Sequence, residues 1–87
     1  MYAYREKAIA LYNERKYENA IQVLKRAVTI QNNFDEGYFW LGKCYEKLGH
    51  KDEAKESYQR ALLYDKDYIE AKDALNKIEA EEKSNSK

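Results

Sequence analysis

Two stretches of this chain follow one pattern at a fixed offset. A shift of 34 superposes Tyr4 on Tyr38, Ala20 on Ala54, Arg26 on Arg60 and Ala27 on Ala61. Size or class is kept at Ala8 and Gly42, Leu11 and Tyr45, Leu24 and Tyr58, Val28 and Leu62, Ile30 and Tyr64, and Phe34 and Tyr68. A period of this length constrains the fold more than any other feature. Each period must be one supersecondary unit, too small to bury its apolar face except by stacking on a neighbour.

Inside the period the spacing is helical. Tyr4, Ala8, Leu11 and Tyr12 share one face until Asn13-Glu14-Arg15-Lys16 interrupts it, and Ala20, Ile21, Leu24, Ala27 and Val28 then resume it. The second unit breaks at Leu48-Gly49-His50-Lys51. Gly49 suits the left-handed residue that closes a helix, and Arg15 stands in its place in the first unit at a cost of about 1 kcal/mol. Asn33 with Glu36, and Asp67 with Glu70, read as helix caps whose Glu reaches back to the cap. A fifth helix is expected from Tyr68, carrying Ile69, Leu75 and Ile78 over an otherwise charged face, with EEKSNSK frayed beyond it. The chain has no proline, three glycines and no period-two runs of β-branched residues, so it is all-α.

Small residues recur where two helices would meet. Gly42 and Ala8 on the first helix of each unit, with Ala20, Ala27, Ala54 and Ala61 on the second, let backbones approach. Tyr45, Tyr58, Leu24 and Leu11 fill the spaces between, as ridges into grooves.

The run Tyr38-x-x-Leu41-Gly42-x-x-Tyr45, followed by Ala54-x-x-x-Tyr58-x-x-Ala61, resembles a tetratricopeptide repeat. Tyr4, Ala8, Leu11, Tyr17, Ala20, Leu24 and Ala27 form a looser example of it. The resemblance covers about Tyr2 to Tyr68 and implies a right-handed superhelical stack of antiparallel helix pairs, an α-α solenoid of five helices. The implied organisation is a first repeat at 1–34, a second at 35–68, a capping helix at 69–81 and a disordered polar tail at 82–87. Tyr4 and Tyr38 replace the family's usual Trp. Asn32 and Lys66 replace its usual proline, leaving the second helix of each pair free to run on.

The resemblance also implies a concave groove, lined by the first helix of each repeat, that takes a peptide or a segment of a partner protein. The residues placed on that side are Tyr2, Arg5, Ile9, Tyr12 and Asn13, then Phe39, Trp40, Lys43 and Lys47, and Asp73 and Lys77 from the capping helix. Phe39 and Trp40 follow the packed Tyr38 directly, so at least one is expected to be substantially exposed. Aromatic rings beside cations suit a ligand with an apolar anchor and an acidic flank. Tyr12, Ile9 and Phe39 would hold the anchor, and Arg5 and Lys43 would orient the acid. The alternatives are burial of Trp40 and Phe39 against neighbouring helices, and a scaffold unit with no ligand of its own. Such a unit would self-associate through the open edge around Tyr2, Tyr4 and Ala8, or belong to a longer array.

Other classes are excluded by charge and by the reactive residues. Sixteen Lys and Arg balance sixteen Asp and Glu, whereas nucleic acid and anionic membranes reward a surplus of cations. No apolar run approaches the ~20 residues of a membrane span, and MYAYREKAIA lacks the apolar core of a secretory signal, so the expected compartment is the cytoplasm. One cysteine forms no internal disulfide, and no metal-ligand pair is spaced for a cofactor. His50 falls in a turn, Cys44 on a packed helix and Ser57 far from any base, so no catalysis is expected. Some tetratricopeptide domains clamp the acidic tail of heat-shock chaperones between cations and amides. Here the clamp would fall on Arg5, Ile9, Trp40, Glu70 and Ala74; only Arg5 fits, and Glu70 would repel a carboxylate.

Overall fold

A computed structural model describes residues 2–85, and they form five helices: α1 (Tyr2–Asn13), α2 (Tyr17–Ile30), α3 (Asp35–Lys47), α4 (Lys51–Tyr64) and α5 (Ile69–Asn85). α1 packs on α2 and α3 on α4, with α3 also seated on both helices of the first pair and α5 closing against α4. This is the expected stack of helix hairpins.

The two hairpin turns have the same hydrogen bonds at equivalent positions of the repeat. Lys16 N–H donates to the Leu11 carbonyl (2.8 Å) and Arg15 N–H to Tyr12 (3.0 Å); His50 N–H donates to Tyr45 (2.9 Å) and Gly49 N–H to Glu46 (3.0 Å). These are Schellman closures, which require a left-handed residue just past the helix. Gly49 supplies it at φ 80° and Arg15 at φ 66°.

The core is small side chains between large ones. Ala20, Ala27, Ala54, Ala61 and Ala71 are fully buried, and the largest fully buried side chains are Tyr58, Leu24, Ile78 and Cys44. Leu11 and Tyr45 fill the expected gaps but stay half-buried.

Several local expectations are corrected. The residue before α3 is Phe34, not Asn33, and it makes no side-chain cap. Its carbonyl accepts the first helical bond, from Tyr38 N–H, as Tyr68's does from Lys72 N–H. Burying the Phe34 ring is worth about 2 kcal/mol, more than the ~1 kcal/mol of a polar cap. Asp67, similarly, caps nothing: its N–H donates to Asp65 Oδ1. Next, α2 and α4 do not run on without proline, but stop at the equivalent residues Ile30 and Tyr64. Then α5 turns Ile69 to solvent, because Ala71, Leu75 and Ile78 set its buried face. Finally, α5 continues past residue 81 to Asn85, anchored where Lys55 Nζ donates to Glu82 Oε1 at 2.8 Å. Residues 86 and 87 of the expected tail lie outside the described residues.

Candidate functional site

Phe39, Trp40 and Lys43 occupy one side of α3, facing Tyr12 of α1. Trp40 meets Tyr12 edge-on at 5.3 Å between ring centroids and Phe39 at 5.6 Å. Tyr12 meets Tyr17 edge-on at 5.3 Å, and Phe39 tilts against Tyr68 at 5.1 Å and Tyr58 at 5.9 Å. Edge-to-face pairs of this kind add about 0.5–1.5 kcal/mol each beyond the area they bury. The rings therefore form one interlocked row. The Lys43 Nζ lies 5.6 Å from the centroid of Tyr12, 5.8 Å from Phe39 and 5.7 Å from Trp40, within cation–π range of all three.

Tyr12, Lys43, Glu46, Lys47 and Lys77 line an open cleft of about 300 Å³ at the C-terminal end of α1 and α3. Its acid is already engaged: the buried Tyr58 hydroxyl donates to Glu46 Oε1 at 2.6 Å. Desolvation, reinforced by that hydrogen bond, holds the Tyr58 hydroxyl well above the usual tyrosine range. Lys43, Lys47 and Lys77 form no ion pair among the described residues. This end of the groove is cationic.

The other end is acidic and internally paired. Arg5 Nη1 sits 2.7 Å from Glu6 and its Nε 3.3 Å from Glu36 across the α1–α3 gap. Burial raises the Tyr68 hydroxyl, and the negative charges of Glu36, Asp35 and Glu70 raise it further, with Arg5 opposing.

Of the residues placed on this side from sequence, the structure brings Tyr12, Phe39, Trp40, Lys43, Lys47 and Lys77 together. Ile9 is half-buried, and Tyr2, Asn13 and Asp73 are exposed and take no part in the ring contacts of the aromatic row. Arg5, expected to orient an acid together with Lys43, is engaged instead by Glu6 and Glu36. Neither Phe39 nor Trp40 is the exposed ring expected: both are half-buried, since each covers the other. Sequence reasoning missed Glu36 and Glu46, although the repeat offset places them at the positions of Tyr2 and Tyr12 in the second unit.

The reactive residues have ordinary surroundings. Cys44 is fully buried, and desolvation pushes its thiol up to about 11 against the pull of Lys43. The Ser57 hydroxyl donates to the Glu53 carbonyl of its own helix (2.9 Å), and the half-exposed His50 lies 3.9 Å from Glu53.

A model of the tetratricopeptide repeat matches residues 8–78. Tetratricopeptide repeat protein 1 of Schizosaccharomyces pombe is 28% identical over 74 residues, 79% of this chain and 7% of its own length. Heat shock protein STI1 of Saccharomyces cerevisiae is 28% identical over 75 residues, 86% of this chain and 13% of its own. Among solved structures, the crystal structure of MamA superposes with a TM-score of 0.88 at 24% identity, over 92% of this chain and 47% of that one. The chain thus spans only a small part of these curated relatives.

Proposed function

The chain belongs to the tetratricopeptide repeat family, and on that premise we propose that it holds a peptide segment of a partner protein along α1, α3 and α5. Tetratricopeptide repeats are in general non-enzymatic modules for protein–protein interaction. In this reading the segment lays an apolar anchor against Tyr12 and Phe39 and directs an acidic flank to Lys43, Lys47 and Lys77. The observation that carries it is the lysine trio, without an ion pair among the described residues, beside an acid already engaged by Tyr58. The aromatic row is interlocked in advance, so little side-chain entropy opposes binding.

An acidic chaperone tail is not the segment proposed. Arg5 is engaged by Glu36, and Glu70 stands where a clamp needs a cation.

A library of peptides pairing one aromatic or aliphatic residue with an acidic run tests the reading by fluorescence anisotropy. Selected peptides should perturb the amide signals of Tyr12, Phe39 and Lys43, and weaken at least tenfold with Lys43→Glu and Lys77→Glu together. Binding unchanged by that double reversal would overturn it.

A further inference from the structure

One face recurs at every layer of the stack, and its first instance is left uncovered by the described residues. In the second repeat it comprises Gly37, Leu41 and Cys44, all buried, with Val28 of α2 so close that a β-carbon on Gly37 would stand 3.0 Å from it. In α5 the same positions are Ala71, Leu75 and Ile78, packed in the core or against it. In the first repeat they are Ala3, Lys7 and Ala10, all exposed. The small residues that admit a helix backbone are kept, but nothing among the described residues occupies the space.

Beside this face, and sharing Lys7 with it, lies a cleft whose electrostatics differ from those of the matching cleft in the second repeat. Tyr4 and Lys7 of α1, with Val23, Lys25, Arg26 and other α2 residues, line an open cleft of about 590 Å³. The matching cleft in the second repeat carries Glu53 and Glu56, and Glu56 pairs with Arg60 at 3.8 Å. The first repeat has Asn19 and Gln22 at those two positions. Arg26 is left without the partner that Arg60 has, and Lys7 replaces the buried Leu41. Lys7, Lys25 and Arg26 form no ion pair among the described residues. Residues 1–34 hold six Lys and Arg against three Asp and Glu, although the whole chain balances sixteen against sixteen.

We infer that this face docks an amphipathic helix of a partner protein, seated on Ala3, Ala10 and Val23 by a short apolar stripe and flanked by Asp or Glu that meet Lys7, Lys25 and Arg26. A helix is the occupant because the equivalent positions of α3 and α5 pack against helices of the stack, and the cationic cleft opens beside those of α1. Acidic flanks follow from three cations around the cleft that have no ion pair among the described residues. Two copies meeting face to face would oppose Lys7, Lys25 and Arg26 with themselves, and the outer side of α5 offers no apolar stripe. A second copy of this chain is therefore not the occupant.

Two stapled helical peptides of about 18 residues, long enough to hold a helix, serve as probes. They share one Ile-Leu-Val stripe at the spacing of Ile21, Leu24 and Val28 and differ only in Glu or Lys flanks. The Glu peptide should bind and shift the amides of Ala3, Lys7, Ala10 and Val23, leaving Lys43, Lys47 and Lys77 unmoved. Lys7→Glu with Arg26→Glu, both at exposed positions, should weaken it at least tenfold and admit the Lys peptide instead. The inference is overturned if neither peptide binds, if charge reversal leaves the Glu peptide unaffected, or if the shifts fall at the lysine trio of the groove. A concentration-dependent dimer in light scattering that the same reversal dissolves would overturn it as well, by making a second copy the occupant.

Discussion

The Tyr58 ring lies flat on Gly42: a β-carbon there would stand 2.5 Å from Cε1 and 2.7 Å from Cδ1 of the ring. Tyr58 is fully buried and its hydroxyl is fixed on Glu46, so the ring cannot yield. One contact thus brings α3 and α4 together and positions the groove acid.

Gly42→Ala should therefore destabilise the protein. Overpacking costs about 1–3 kcal/mol, while the gain in helix propensity returns about 1 kcal/mol. A net loss of up to about 2 kcal/mol should appear as a Tm lowered by up to about 15 °C. A Tm at or above the parent's would show that the ring moves freely.

The two hairpin turns predict opposite effects of exchanging their left-handed residues. Arg15→Gly relieves a side chain held at φ 66°, and should stabilise by about 0.5–1 kcal/mol in urea denaturation. Gly49→Ala has open space around it but keeps φ 80°, so it should lose about 1 kcal/mol through backbone strain alone.

Stability should fall in alkali. Desolvation first, and neighbouring acids second, raise the Tyr58 and Tyr68 hydroxyls above the ~10 of an unfolded tyrosine. The folded state then holds protons that the unfolded chain releases, so this stability is complete below pH ~10 and is lost as pH rises beyond it. Cys44, pushed up to about 11 by burial, adds its own decline from about pH 9. Tyr58→Phe should remove about 1.4 kcal/mol per pH unit from the slope above pH 10. The same variant loses about 1–2 kcal/mol near neutrality with its hydrogen bond to Glu46. A parent protein equally stable at pH 8 and pH 11 would contradict the assignment.

Cys44 should react with a thiol reagent only through unfolding. It is fully buried with a raised pKa, so labelling at pH 8 should accelerate a hundredfold or more in denaturant, given ~3 kcal/mol or more of stability. Equal rates with and without denaturant would place the thiol at the surface.

Much of this was legible along the chain. The helix pairs, the turn at Gly49, the strained Arg15 and the alanines of the core all follow from periodicity and side-chain volume, and each recurs at the repeat offset. Where local rules failed, a partner distant in sequence had intervened. Asn33 has a cap's chemistry, but burial of Phe34 set the helix start. Ile69 is apolar, but the face containing Ala71 and Ile78 set the rotation of α5.

The groove divides in the same way. Which residues sit on the inner side of α1, α3 and α5 is a matter of helical phase, a local property readable from residue spacing. Which charges remain available depends on contacts across the stack. Glu36 neutralises Arg5 from 31 positions away, Tyr58 holds Glu46 from 12, and Lys43 rests over rings from two helices. A side chain's phase is fixed by its own helix, but its electrostatic freedom depends on what the fold brings within a few ångströms.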